Sequence, residues 1–240
     1  MGRALSWLDG YTDAGVYKVL KRLGFSRKQA LYFIRSPDPE YRTKWQRILR
    51  AYQEAWLNPD QVVLLFQDEF TYYRKAELRQ RWLRQGPKPT RHHHKPGANT
   101  KARITATLNA LSGQVLYLQR SKVGRHALAH FYGMIRETHP NATRIYLVQD
   151  NWPVHRNPEV WQAVEEHRLT PLFLPTYASW INPIEKLWRW LRQDIIHDHQ
   201  GSDDFKTLRQ LTLEWLGQFA HGSKKLLHYV GILSNEELDL

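Results

Sequence analysis

The chain has 240 residues, enough for one good-sized core with a small appendage, and its Lys and Arg outnumber Asp and Glu by 35 to 23, a formal charge of +12. That excess points to a polyanion, most often nucleic acid, against the plainer alternative of a basic protein with no such partner. The absence of cysteine excludes disulfide frameworks, thiolate zinc sites and cysteine nucleophiles together, and no apolar run approaches the roughly 20 residues needed to cross a bilayer, so a cytoplasmic protein without a membrane partner is expected.

Residues 14–24, AGVYKVLKRLG, space Val16, Val19, Leu20 and Leu23 at a helical period closed by Gly24. Ser26 can cap a second short helix, RKQALYFI, which SPDPE then breaks. Together they have the outline of a helix-turn-helix fragment, a pattern that any two helices joined by glycine share. Residues 39–57 read as a longer helix of mixed charge, a linker into the main domain. The expected division is therefore a helical DNA-binding remnant with its linker over 1–60, a catalytic domain over 61–200 and a helical extension over 201–240.

The main domain opens on QVVLLFQDEF (61–70), where five consecutive apolar residues, Val62 to Phe66, fit a strand buried on both faces and run into Asp68 and Glu69. After a basic stretch over 74–103, RITATLNALSGQVLYLQ reads as a hairpin turning at Ser112 and Gly113. A helix over 124–140 follows, then a second buried strand in IYLVQDNWPVH (145–155), which ends in Asp150. A helix over 157–167 and a short strand over 169–175 come next. In TYASWINPIEKLWRWLRQDII, Asn182 can cap a helix, Pro183 sits where a missing N–H costs nothing, and Ile184, Leu187, Trp188, Leu191 and Ile195 form one apolar stripe. Residues 203–220 supply helical cover. This order predicts the α/β class, a ribonuclease-H-like mixed sheet flanked by helices on both faces, with a small helical N-terminal segment.

Aspartate is a poor strand residue and is costly to bury without a partner. Asp68 and Asp150 both stand just past a buried apolar strand, at the end where open α/β sheets place their sites. On neighbouring strands, roughly 4.8 Å apart, two carboxylates can share a cation, and they repel unless a metal or a proton intervenes. Oxygen donors without thiolates favour a hard ion, Mg²⁺ or Mn²⁺. Glu185 falls about 100° from Ile184 on a helical wheel, at the margin of the stripe, and can face the sheet edge as a third ligand. Each residue also has a bland role open to it. The aspartates can form turns, Glu185 can close a capping box with Asn182, and Arg189 can pair with Glu185.

QDE after one buried strand, QDNWPVH after another, with His155 five positions after Asp150, and LPTYASWINPIEKLWRWL, with 34 residues between Asp150 and Glu185 (185 − 150 − 1), resemble the DDE transposases of the mariner superfamily, in particular their bacterial insertion-sequence branch. The resemblance spans about residues 62–195. It implies Asp68, Asp150 and Glu185 as a catalytic, metal-binding triad holding two Mg²⁺ or Mn²⁺ ions. It also implies cleavage at transposon terminal repeats in double-stranded DNA, joining of the 3′-hydroxyl to target DNA at a TA dinucleotide, a homodimer on DNA and a nucleoid-associated location in a bacterium. Asn151 and His155 are expected to orient a water or a DNA phosphate at the metal site, with Asn182 beside them. Arg74, Lys75, Lys88, Arg91, Lys95, Lys101, Arg103, Arg189 and Arg192 are expected to contact DNA phosphates, joined by His92 to His94. The chain departs from the pattern at Ala178, where the family has Ser after Tyr, and at Trp152-Pro153, where it has smaller residues. About one helix-turn-helix unit precedes residue 61 where the family usually carries two, so the rest is expected either to be carried by a separate chain or to be lost. A nuclease of the same fold that only hydrolyses, and a domesticated DNA-binding protein without catalysis, are the competing expectations.

Overall fold

The β-branched and aromatic runs pair into one mixed sheet. In the computed structural model, which describes residues 10, 12–28, 35–79, 100–199, 201 and 203–233, the strands are β1 (Val62–Tyr73), β2 (Lys101–Asn109), β3 (Val115–Arg120), β4 (Arg144–Gln149) and β5 (Leu169–Phe173), ordered β3-β2-β1-β4-β5. β2 is antiparallel to both of its neighbours, β1 and β3, whereas β4 and β5 run parallel to β1 and to each other. Each parallel connection is made by a helix, α3 (Arg125–Thr138) before β4 and α4 (Pro158–Glu166) before β5, as the crossover geometry demands. This is the expected α/β, ribonuclease-H-like arrangement.

The pleat of β1 divides the core in two. Leu64, Phe66, Phe70 and Tyr72 point to one face and pack with α2 (Tyr41–Leu57), α5 (Ile184–Leu191), α6 (Phe205–Gly217) and α7 (Lys224–Val230), while Leu65 points to the other, against α3 and α4. The stripe on α5 behaves as its period predicts. Ile184, Leu187, Trp188 and Leu191 are all 3 % exposed or less, and each stabilises the fold by about 1.5–3 kcal/mol.

Three expectations are corrected. The helix over 39–57 is not a linker: α2 buries Ile48, Ala51 and Ala55 in the main core, and contacts divide the chain between Arg35 and Ser36, so α2 and the helices beyond residue 201 belong to one compact unit with the sheet. Asp68 does not lie past a strand end, because β1 keeps pairing with β2 as far as Tyr73 after its pairing with β4 has stopped at Phe66. The period-2 burial of Phe70, Thr71, Tyr72 and Tyr73 carries that extension. The helix from 184 loosens into a π-helical turn over Arg192–Ile196. Within the expected helical extension over 201–240, α7 is capped by the Ser223 hydroxyl on the Leu226 N–H.

In the first unit, α1 (Asp13–Arg22) begins at Thr12, whose hydroxyl accepts the Gly15 N–H at 3.1 Å, and buries none of its residues. The second helix expected after Ser26 lies mostly outside the described residues. Among the described residues no helix is long and apolar enough to cross a membrane.

The β2–β3 hairpin is stitched to the C-terminal helices. The Ser223 N–H donates to Ser112 O at 2.8 Å and the Val115 N–H to Phe219 O at 3.0 Å. Gly113 sits in that turn with φ +70°, and a Cβ there would collide with the Ser223 carbonyl. Gly113→Ala is therefore expected to cost about 2–4 kcal/mol, from the left-handed backbone and the overlap together, read as a lowered urea midpoint. A midpoint equal to that of the unsubstituted chain would show that the hairpin does not need this contact.

Candidate active site

The last register pair of β1 and β4 is Phe66 with Val148. Two residues further along each strand stand Asp68 and Asp150, side by side where the parallel pairing ends. Glu185 comes from the first turn of α5, the end of a helix that favours an anion. Together the three carboxylates line one cavity of about 410 Å³, with Asn151, Asn182 and Tyr177 also on its wall.

The three carboxylates are not equivalent. Asp68 lies deepest and accepts the Trp188 indole N–H at 2.9 Å. Burial, then the charges of Glu185 and Glu69, push its carboxyl up to about 8. Burial also raises Glu185, with Arg192 opposing, Asp150 adding and Arg189 opposing. Asp150 moves the other way. Burial pushes it up, but the His155 ring and the Trp152 N–H, which donates to Oδ1 at 2.9 Å, outweigh that and leave it below the ordinary carboxylate range. Asp150 thus forms the turn that sequence alone allowed it, and faces the cavity as well.

His155 sits behind Asp150 with 1 % of its side chain exposed, Nε2 at 3.5 Å from Asp150 Oδ1 and 3.7 Å from Glu69 Oε2, and Nδ1 at 3.2 Å from the Tyr132 hydroxyl. Burial lowers its proton affinity, but Asp150 and Glu69 outweigh that and raise it to about 9. Glu69 Oε1 accepts from Gln67 Nε2 and from the Thr105 hydroxyl, both at 3.0 Å. Sequence reasoning passed over Glu69, Tyr132 and Trp188. The alternation of β1 was the available signal for Glu69, since it sends residues 67 and 69 to the face opposite Asp68.

The auxiliary residues have settled partners. Asn151 donates to Leu174 O at 2.8 Å and accepts from Arg156 Nη2 at 3.1 Å, tying the end of β4 to the loop after β5. Asn182 does not cap α5, whose preceding residue is Pro183 with no side-chain cap. Its amide instead donates to Gln67 O at 3.1 Å, and its Oδ1 is buried without a hydrogen-bond partner. The capping box with Glu185 is thereby absent, and the Glu185 side chain is left to the cavity.

Of the residues expected at DNA, Arg103 lies beside the site, its Nε on the Thr71 hydroxyl at 3.0 Å and its guanidinium 6.0 Å from the Trp152 ring. Lys75, Lys101 and Arg189 are exposed. Arg192 is occupied instead by Glu77, at 3.1 and 3.2 Å, and lies over Phe70. Arg74 reaches Asp203 O at 3.4 Å. Lys88, Arg91, Lys95 and His92 to His94 lie outside the described residues.

The donor set fits a hard divalent cation. All three side chains offer oxygen, and Asp68, raised first by burial and then by the Glu185 and Glu69 charges, has no cationic side chain holding it ionised. Among the described residues no three acidic or histidine side chains already stand close enough to enclose an ion. Asp150 and Glu185 are exposed, so both have room to change rotamer toward one.

A ribonuclease-H-like sheet that brings two aspartates and a helix-borne glutamate to one cavity defines the class of DDE nucleotidyl-transfer folds. Residues 63–209 match the family described as DDE superfamily endonuclease, a span that includes all three carboxylates, and the chain belongs to that family. It is 22 % identical over 214 residues to an insertion element IS630 uncharacterized 39 kDa protein of Shigella sonnei, covering 88 % of this chain and 61 % of that one. Its fold is similar to that of the Mos1 transposase in a paired-end complex with the left transposon end (TM-score 0.64, 14 % identity, 90 % of this chain and 66 % of that one). It is also similar to the isolated catalytic domain of the Mos1 mariner transposase (TM-score 0.54, 12 % identity, 85 % and 91 %). The chain thus spans about three fifths of the insertion-element protein and about two thirds of the full transposase.

Protonation of this site bears on stability. Asp68, Glu185 and His155 are raised in the folded chain, so it holds protons that the unfolded chain has released. Their contribution is fullest in acid and declines as pH rises, for Asp68 and His155 through about 8 and about 9, whereas lowered Asp150 adds stability that is lost only in acid. In the absence of divalent cations Asp68→Asn is expected to be more stable than the parent at pH 8, by on the order of 2–3 kcal/mol, with the advantage shrinking toward pH 5. Urea unfolding at the two pH values checks this, and an advantage that grows toward acid would contradict it.

Proposed function

We propose that this protein is a transposase that cuts double-stranded DNA at transposon ends and joins the freed 3′-hydroxyl to target DNA, using two divalent ions, Mg²⁺ or Mn²⁺. The observation that carries this is the convergence of Asp68, Asp150 and Glu185, from β1, the end of β4 and the start of α5, on one cavity. The +12 charge of the chain supports a DNA substrate. Solved complexes of the similar Mos1 transposase with Mg and Mn, and its strand transfer complex, support the metal and the joining step. The TA target and a homodimer on paired ends are carried over from the family resemblance.

Asp68, Asp150 and Glu185 would hold the cations, which when bound supply the positive charge that activates the attacking oxygen and stabilises the leaving one. The chain's own part is placement. Trp188 fixes one Asp68 oxygen by its 2.9 Å hydrogen bond, leaving the other for the cavity. His155 stands against the Asp150 oxygen that also takes the Trp152 N–H, which favours presentation of the second. Arg103 and Lys101 on β2, and Arg189 on α5, flank the site and would take the DNA backbone phosphates. In cleavage a water oxygen displaces the 3′ oxygen of the scissile phosphodiester, and in joining that 3′-hydroxyl displaces the equivalent oxygen in the target. One site performs both because both are in-line displacements at phosphorus.

Asp150→Ala and Glu185→Gln are each expected to lower Mg²⁺-dependent cleavage of DNA bearing the element's own terminal repeats by about 10³-fold or more. Their DNA affinity by fluorescence anisotropy should stay within about threefold of the parent, because the carboxylates repel phosphate. Cleavage persisting in either variant would remove the triad from the mechanism. Cleaved ends that never appear joined to target DNA would reduce the activity to hydrolysis.

A further inference from the structure

The cavity wall carries a side chain that the chemistry described so far does not use. Tyr177 is the most exposed large apolar side chain among the described residues, at 79 %. Among the described residues it is also one of three non-glycine residues with positive φ, at +54°. The left-handed region is unfavourable for a bulky residue, and an exposed ring recovers little of that cost by packing. Such a conformation persists only where its surroundings over-determine it.

They do so here from both sides. Thr176 is gripped at both backbone polar atoms by a distant segment, its N–H donating to Asp38 Oδ2 at 2.8 Å and its carbonyl accepting the Ser36 hydroxyl at 2.6 Å. Asp38 is itself 4 % exposed and fixed by Lys44 Nζ at 2.8 Å. On the other side Ala178 is buried at 2 % and its N–H returns to Pro175 O at 3.2 Å. Between these anchors Tyr177 lines the cavity that the three carboxylates share, and its side chain stays largely open to solvent.

We infer that Tyr177 is a stacking platform for an unpaired base of the DNA strand whose phosphate enters that cavity, an inference that rests on the proposed DNA chemistry of the site. The nucleotide next to a phosphate in the cavity brings its base to the rim, where a flat ring presents a sequence-tolerant face. A base inside a duplex has both faces covered, so the ring selects strands that are splayed beside the scissile bond.

A splayed-arm DNA duplex carrying 2-aminopurine in the unpaired arm tests this by binding alone, without cleavage. The parent and Tyr177→Phe are expected to quench its fluorescence and to prefer it over the fully paired duplex. Tyr177→Ala and Tyr177→Gly should lose the quench and about tenfold in affinity for the splayed DNA. Glycine relieves the backbone, so Tyr177→Gly should also melt a few degrees higher than the parent, which separates loss of the ring from loss of fold. Full quenching by Tyr177→Gly, no quenching by the parent, or a Tyr177→Phe defect equal to that of alanine would each overturn the platform. Quenching by a parent chain that never cleaves DNA with Mg²⁺ would sustain the platform and sink the transposase, while cleavage by a parent that does not quench would do the reverse.

Discussion

Two carboxylates must lie one strand spacing apart without being sealed in the sheet, and the point at which β4 leaves β1 is where that becomes possible. Up to Phe66 and Val148 the pair is covered on both faces. Beyond it β1 continues on β2 alone, so Asp68 keeps a rigid strand backbone while the space on its other side opens into the cavity. A shift of one residue in the β1–β4 register would send Asp68 and Asp150 to different faces, because strand side chains alternate. The apolar runs 62–66 and 145–148 hold that register by burying Leu64, Leu65, Ile145, Leu147 and Val148, all at 1 % exposure or less.

The same alternation gives the two sides of the site different physics. On the α5 face Asp68 sits among Phe66, Phe70 and Trp188, with the Phe70 and Trp188 rings stacked 5.1 Å apart. There the low-dielectric surroundings magnify its charge. On the α3 face Gln67, Glu69, Thr105, Tyr132, Gln149 and His155 form a linked polar group in which the Tyr132 hydroxyl donates to Gln149 Oε1 at 3.0 Å and faces His155. Burial and the Glu69 charge keep that hydroxyl protonated far above ordinary pH. This buried network leaves Gln149 Nε2 without a hydrogen-bond partner, but its remaining bonds hold the side chains in place, and it ends on Asp150. One side of the sheet therefore raises the proton affinity of the site, and the other sets its shape.

Much of this was legible in the sequence because it is periodic. The five strands, the helices between them and the α5 stripe follow from apolar runs, alternation and the 3.6-residue repeat, whereas the triad is implied by the family resemblance, since each acid taken alone also has a bland role. What escaped depends on tertiary pairing. No local pattern says that β1 outlasts β4, so Asp68 looked like a strand end. Asn182 stood where a cap belongs, yet a buried carbonyl at Gln67 competed for its amide and won. The mixed charge of α2 concealed that Ile48, Ala51 and Ala55 fall on one face at spacings of three and four. Tyr177 gave no signal, since a positive φ on a tyrosine runs against its propensity and is imposed by Ser36 and Asp38, nearly 140 residues away.

The π-helical turn after α5 bears on how Glu185 and Trp188 stay aimed at Asp68. Had the α-helix continued, Arg192 would have remained in step with Glu185 and Arg189 along one flank. The wider turn over Arg192–Ile196 accompanies a different set of partners. The Arg192 guanidinium lies 4.8 Å from the Phe70 ring centre and meets both Glu77 oxygens, and the neighbouring His197 has Nε2 at 3.4 Å from the same carboxylate. Phe70 also stacks on Trp188, so one aromatic side chain of β1 is clasped by α5 and by the turn that follows it. This brace acts two residues from Asp68 on the same face of the same strand. An ion pair to Glu77 in place of a free cation at the rim is thus a structural use of Arg192, whereas Arg189 on α5 stays exposed.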